Sequence, residues 1–177
     1  IELKENGARF EAPLVDGQKT GWFFDQRANR QQMAKWVEGR RVLDVFSYVG
    51  GWGIQALLSG ATEAVCVDSS SLALGHARAS AELNGVGDRF AILDGDAFTL
   101  LKDLKAMGNR FDVVVVDHQH QRRIVAHRQG LVPRLGRRRP SLWRGQAEGE
   151  ARAAALGVGE LLEDASAQQA CATSTAS

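Results

Sequence analysis

Four aspartates recur at one place in a repeating pattern. Asp44, Asp68, Asp96 and Asp117 each lie near, at or just past the end of a short β-type run, at 41–46, 63–68, 89–94 and 111–117. A carboxylate accepts hydrogen bonds from hydroxyl and amino groups and balances a nearby cation. One such acid would be an ordinary solvated loop residue, but acids in four successive units point to a shared ligand. The first run leads into Phe46-Ser-Tyr-Val-Gly-Gly-Trp-Gly53. Gly50, Gly51 and Gly53 let the backbone bend sharply and approach a ligand closely. An apolar helix predicted at 54–58 then offers unpaired N–H groups at its start.

The elements that must position these groups alternate along the chain. Asp25 can cap a helix at 26–37, with Met33, Trp36 and Val37 on one face and Gly39 as its stop. Ser69 to Ser71 offer an N-cap for a helix to about residue 83, closed by Asn84-Gly85. Ala97, Leu100, Leu101, Leu104 and Met107 line one face of a third helix, ended by Gly108. The unbroken valines before Asp117 imply burial on both faces, as in the middle of a parallel sheet. The β-α-β-α-β-α-β order predicts an α/β fold, a Rossmann-like doubly wound parallel sheet whose ligands bind at the carboxyl ends of the strands. Before it, residues 1–24 read as short strands and turns. Asp16-Gly17 is a turn signal, and Thr20-Gly-Trp-Phe-Phe24 is an aromatic strand or loop that packs in the core or walls a ligand.

The turn selects between nucleotide classes. A dinucleotide site needs Gly-x-Gly-x-x-Gly directly after the first strand, which Ser-Tyr-Val-Gly-Gly-Trp-Gly does not supply. An acid before the turn would also sit poorly beside a pyrophosphate. S-adenosylmethionine has no phosphate and carries a cationic sulfonium and ammonium, so a carboxylate at Asp44 favours it. Asp68 could then accept both ribose hydroxyls and Asp96 the adenine amino group. Gly50 and Gly51 would let the amino-acid end lie against the backbone.

Glu5-Asn-Gly-Ala-Arg-Phe10, Gly17-Gln-Lys-Thr-Gly-Trp-Phe-Phe-Asp-Gln-Arg-Ala-Asn-Arg30 and Val42-Leu-Asp-Val-Phe-Ser-Tyr-Val-Gly-Gly51 resemble the class I methyltransferase domain of the large-subunit rRNA cytosine-C5 methyltransferases. The resemblance covers about residues 1–117. It implies a class I methyltransferase fold, S-adenosylmethionine as cofactor, a base of ribosomal RNA as methyl acceptor, and a cytoplasmic location. The implied cofactor pocket is Asp44, Phe46, Gly50, Asp68, Ser69, Asp96 and Ala97. Asp117 would border cofactor and base in the catalytic role. Lys19 and Arg27 would serve the active-site wall or RNA phosphate, or be surface charges. In the family an N-terminal RNA-binding domain precedes this region, and a chain starting at Ile1 reads as a piece of a longer product.

After Asp117 the resemblance stops. The family continues with Asp-Pro-Pro, and this chain has Asp117-His-Gln-His120. The family's later nucleophilic cysteine, whose thiolate attacks C6 of the base, has no match. Cys66 falls in an apolar run and Cys171 lacks the expected strand before it. Composition changes at the same point: residues 1–117 hold 13 Lys and Arg against 16 Asp and Glu, whereas residues 118–177 hold 9 Arg, no Lys and 5 acids. Eight of those Arg lie in 118–146 without an acid between them. That segment reads as a frameshift in GC-rich coding DNA, which would leave the sheet truncated after strand four, or as an RNA-binding arm. His118, His120 and His127 match no metal motif. Three units are therefore expected: an N-terminal β segment and leading helix at 1–39, a cofactor-binding core at 40–117, and a divergent Arg-rich tail at 118–177 with a weak Ala-rich helix at 151–162. Two cysteines form no disulfide framework and fit a reducing compartment. No apolar run is long enough to span a membrane. The readings are an RNA methyltransferase, a catalytically incomplete cofactor-binding fragment, or a basic RNA-binding accessory protein.

Overall fold

The computed structural model describes residues 1–13, 21–118 and 121–126. The Asp16-Gly17 turn, Lys19, His120, His127, Cys171, the predicted helix at 151–162 and the Arg-rich run beyond residue 126 lie outside the described residues.

The chain opens with an antiparallel hairpin, β1 (Glu2–Glu5) and β2 (Ala8–Glu11). Its two-residue turn is Asn6-Gly7, both in the left-handed region at φ 50° and 84°. That geometry matches the right-handed twist of paired strands, and Asn-Gly is the pair that adopts it most readily. The far edge of β2 is covered by side chains. Asn84 Oδ1 accepts from the Arg9 N–H at 2.9 Å, Asn84 Nδ2 donates to the Arg9 carbonyl, and Ser80 Oγ accepts from the Glu11 N–H at 2.8 Å. They supply what a neighbouring strand would, so this edge does not invite another chain.

The leading helix is shorter than its sequence pattern. A 3-10 turn at Phe24–Gln26 precedes α1 (Arg27–Met33), and a second 3-10 turn takes Ala34–Trp36. Asp25 is not the cap: it lies inside the first turn, and its carboxylate accepts from Gln26 Nε2 at 2.8 Å. Met33 and Val37 are fully buried, and Trp36 is half-buried.

The main sheet has the order β5-β4-β3-β6-β7. Its strands are β3 (Arg41–Val45), β4 (Glu63–Asp68), β5 (Phe90–Asp94), β6 (Val113–His118) and β7 (Gln121–Ala126). The first four are parallel, as the repeating pattern predicts. The sheet then gains a fifth strand, because β7 turns back antiparallel along β6, with Asp117 opposite Arg122. The edge of β6 is thereby paired.

Side chains alternate between the two faces as a pleated strand requires. Val42, Ala64, Cys66, Val113 and Val115 join one core with α2 (Gly51–Leu58), α3 (Ser71–Leu83) and the hairpin. Leu43, Val45, Val65, Val67 and Val114 join the other with α4 (Ala97–Ala106). Asp44 shares its face with Val42, so it points toward α2 and is completely buried. Among the described residues no helix is long and apolar enough to cross a membrane.

Helix α2 packs unusually close to β4. A Cβ at Gly53 would stand 2.6 Å from Cys66 Sγ. Gly53→Ala should therefore cost about 1–3 kcal/mol in urea unfolding, and Cys66→Ala should recover much of that loss by removing the sulfur. A Gly53→Ala protein as stable as the parent would contradict this packing.

Candidate functional site

Strands β4 and β5 lie to one side of β3 and β6 lies to the other. The chain thus reverses its winding between β3 and β6, which is where such sheets open a crevice at their carboxyl ends. The turn that follows β3 occupies this point. Phe46 and Tyr48 are in the left-handed region at φ 61° and 51°, followed by Gly50 at 72°. Two non-glycine residues in that region cost of the order of 1–3 kcal/mol each and persist only where surrounding bonds determine them. Here the Ser47 N–H donates to the Val67 carbonyl at 3.0 Å, the Tyr48 N–H to Asp68 Oδ2 at 2.8 Å, and the Gly50 N–H to the Ser47 carbonyl at 2.9 Å.

Asp44 ties the turn's far end to the sheet. Its Oδ2 accepts from the Gly53 N–H at 3.0 Å, one of the first N–H groups of α2, and Cys66 Sγ lies 3.7 Å from the same oxygen. Its Oδ1 is buried without a hydrogen-bond partner. Burial pushes the Asp44 carboxyl up to about 8; the Gly53 N–H and the Cys66 thiol oppose this as donors, while Asp117 and Asp68 add to it as like charges. The sequence pattern suggests an ionised carboxylate here. Instead the group is mostly protonated at neutral pH, because desolvation outweighs the hydrogen bonds it accepts from Gly53 and Cys66. Burial, with Asp44 beside it, also holds the Cys66 thiol well above its ordinary value.

A pocket open to solvent lies over this turn. Phe46, Ser47, Tyr48 and Val49 form one wall, with Gly51 and Trp52 from the start of α2. Trp22, Phe23 and Arg30 form another, and Asp117 closes the β6 side. Trp52 Nε1 donates to Asp117 Oδ2 at 2.9 Å, linking α2 to the end of β6. The Tyr48 hydroxyl is buried without a hydrogen-bond partner. Desolvation, and then Asp68, raise its pKa.

The wall carrying Trp22 and Phe23 is held by a buried ion pair. Glu5 accepts from Arg30 Nε at 2.6 Å and from its Nη2 at 3.0 Å, and Trp22 Nε1 donates to the same carboxylate at 2.8 Å. Arg30 Nη2 also donates to the Phe23 carbonyl at 2.9 Å. The guanidinium lies 4.5 Å from the Trp22 ring centroid and 5.8 Å from that of Trp52. Trp22 in turn covers Gly51, where a Cβ would meet its ring at 2.9 Å. Trp22 and Phe23 belong to the aromatic segment read from sequence as core or ligand wall, whereas Glu5 and Arg30 fall outside the set that the sequence pattern points to. Two signals mark them. Glu5 shares the inward face of the hairpin with Ala8 and Phe10, and Arg30 shares the buried stripe of Met33 and Val37. A buried acid and a buried base on facing elements call for each other.

The residues expected from sequence are distributed as follows. Phe46 and Asp117 line the pocket, and Asp44 lies beneath the turn. Gly50 faces inward: a Cβ there would meet Ala77 at 3.0 Å, so its positive φ and lack of side chain shape the turn and its packing. Asp68 stands at the end of β4 and bonds two backbone groups, the N–H of Tyr48 and that of Ser70, with exposed Ser69 between. Asp96 caps α4: its Oδ2 accepts from the Thr99 N–H and hydroxyl, each at 2.8 Å, which lowers its pKa. Ala97 is the buried first residue of that helix. Phe46 meets Phe98 edge to face at 6.4 Å, joining the turn to the start of α4. Arg27 is exposed and bonds Asn6 at the hairpin turn, outside the pocket. Cys66 is wholly buried.

The chain has clear relatives. The family model for S-adenosylmethionine-dependent methyltransferases matches residues 1–172. Ribosomal RNA large subunit methyltransferase I of Aeromonas salmonicida is 44% identical over 118 residues, which is 66% of this chain and 30% of that protein. The protein of the same name from Vibrio cholerae is 42% identical over 120 residues, again 66% of this chain and 30% of its length. The chain thus spans less than a third of the curated relatives it matches. Among solved structures, a protein described as a SAM-dependent methyltransferase from Streptococcus mutans superposes with a TM-score of 0.62 at 27% identity, covering 66% of this chain and 32% of that one. A methyltransferase complexed with SAH shares the fold, with a TM-score of 0.61 at 24% identity over 69% of this chain and 34% of that one.

The Glu5–Arg30 pair generates a direct comparison. Glu5→Ala leaves a buried guanidinium unmatched and should cost about 3–5 kcal/mol in denaturant unfolding. Glu2→Ala removes the exposed pair with Arg9, which solvent screens, and should leave the unfolding midpoint nearly unchanged. Equal costs would contradict the role given to the buried pair.

Proposed function

The chain belongs to the S-adenosylmethionine-dependent methyltransferase family, and from that premise we propose that it methylates C5 of a cytosine in ribosomal RNA. The observation that carries the reading is the strained turn after β3, fixed at the switch point by Asp44 and Asp68. In this reading S-adenosylmethionine lies across the carboxyl ends of β3, β4 and β5. Its amino-acid end rests over Gly51 and the turn that Gly50 shapes, with Asp44 below. Asp68, beside Ser69, accepts the ribose hydroxyls through lone pairs not used by the Tyr48 and Ser70 N–H groups; a carboxylate has about four such sites. Phe46 flanks the adenine, and Asp96 with Ala97 meets its amino edge. Asp117 borders the reacting methyl and the acceptor base, in a pocket walled by Trp22, Phe23 and Trp52.

The RNA acceptor is supported by the rRNA methyltransferases among the relatives and by the Arg-rich run at 118–146, suited to phosphate. Lys19 is a further candidate for phosphate. Cytosine C5 rests on the motif resemblance, and a cytoplasmic location follows from an rRNA substrate. A second reading is favoured by one observation. Attack on C6 of cytosine needs an accessible thiolate, and Cys66 is buried with its thiol pushed up. With Asp-Pro-Pro absent after β6, the chain in this reading is a cofactor-binding fragment, frameshifted after Asp117, that does not complete the transfer.

Titration calorimetry with S-adenosylmethionine and a radiolabelled methyl-transfer assay on unmodified rRNA test both. One cofactor per chain should bind, and Asp68→Asn should weaken it by about tenfold or more, the cost of losing charge-assisted hydrogen bonds. Label in 5-methylcytosine supports the enzyme. Binding without transfer selects the fragment, and no binding rejects both.

A further inference from the structure

Asp44 is an acid on a strand face that is otherwise apolar, and it has no exposed surface. Among the described residues no cation contacts it. The elements around it carry few titratable or charged groups. Cys66 lies at 3.7 Å on β4, with Asp68 at the end of that strand and Asp117 at the end of β6. The Gly53 N–H comes from α2. The Tyr48 hydroxyl belongs to the turn, and the Arg30 guanidinium sits above the start of α2, held there by Glu5. Two of these neighbours are like charges. The Asp44 Oδ1 atom is buried with its bonding capacity unused, which is costly for a carboxylate and tolerable for a carboxylic acid.

The cofactor changes charge in the reaction. S-adenosylmethionine carries a sulfonium, an ammonium and a carboxylate, a net charge of +1. Transfer of the methyl group leaves the thioether of S-adenosylhomocysteine, with net charge zero. Resting on the cofactor reading above, we infer that Asp44 is the residue by which this site tells the methyl donor from its demethylated product: the cationic donor holds Asp44 as a carboxylate, and the product lets it take up a proton from water.

The linkage has a definite sign. The Asp44 carboxyl stands at about 8, so at pH 7 it is mainly protonated, and donor binding expels that proton. Donor affinity therefore rises with pH toward about 8 and levels off above it. The product makes no such demand. The α-amino group of either ligand also titrates near this range; the sulfonium lowers it in the donor, so rising pH costs the donor its ammonium first, and a rise in the ratio is opposite to that effect and comes from Asp44. Loss of the sulfonium charge thus weakens the product's hold once Asp44 reprotonates.

The test is titration calorimetry of the full chain at pH 7 with each ligand, in two buffers of different ionisation enthalpy, repeated from pH 6 to pH 8. The donor should release close to one proton more than the product. The ratio of donor to product affinity should rise about tenfold or more across that range. Asp44→Asn, checked for folding by circular dichroism, should flatten the ratio. The two-ligand comparison on the unsubstituted chain stands without the variant. Equal proton release by both ligands, or a ratio that keeps its pH dependence in Asp44→Asn, would overturn the inference and leave the cofactor reading intact. Failure of either ligand to bind would overturn both.

Discussion

The structure depends on one hydrogen bond between a buried acid and the start of a helix. Asp44 sits among valines and alanines, where an unpaired polar group is costly. Its bond to the Gly53 N–H fixes where α2 begins relative to β3. Gly53 in turn lets the helix settle onto Cys66 of β4. With both ends of the Phe46–Gly50 turn fixed in this way, Phe46 and Tyr48 are held in backbone conformations they would not adopt alone. A site built on a strained turn needs a rigid frame, and here the frame is the central parallel sheet with α2 pinned across it.

A second constraint comes from outside that sheet. The hairpin formed by β1 and β2 could be taken for an appendage. Instead its Glu5 reaches Arg30 and Trp22, and Gln55 of α2 donates to the Glu5 carbonyl at 3.0 Å. The hairpin therefore decides where Trp22 and Phe23 stand over the pocket. Because the pair is buried, its net contribution to stability is modest, but it determines geometry: a guanidinium between two indoles leaves the aromatic wall little room to move. The cofactor side of the pocket is thus set by the sheet, and its opposite wall by the N-terminal segment.

Much of this was legible in the chain. Alternating acids at strand ends, the glycine turn and the valine run located the four parallel strands and the switch point, because burial on both faces and tight turns leave strong local signals. Other features left local signals of a different kind. Asn6-Gly7 marks a hairpin, and Ile124-Val125 marks β7 inside a stretch dominated by arginine, where charge masks the strand pattern. Asp25 and Asp96 show the limit of local reading. Both are acids at the start of a helix, yet only Asp96 caps one, since the first turn begins one residue earlier at Phe24. What sequence could not rank was the pairing of distant residues. Glu5 with Arg30, and Trp52 with Asp117, meet only after the sheet has formed.

In the proposed function the turn after β3 and the strand ends beside it hold S-adenosylmethionine or its product. A crystal structure of this chain with S-adenosylhomocysteine is the decisive measurement. The ligand should lie across β3, β4 and β5, with its ribose at Asp68 and its amino-acid end over Gly51. A ligand bound elsewhere, or Asp68 without contact to the ribose, would contradict it.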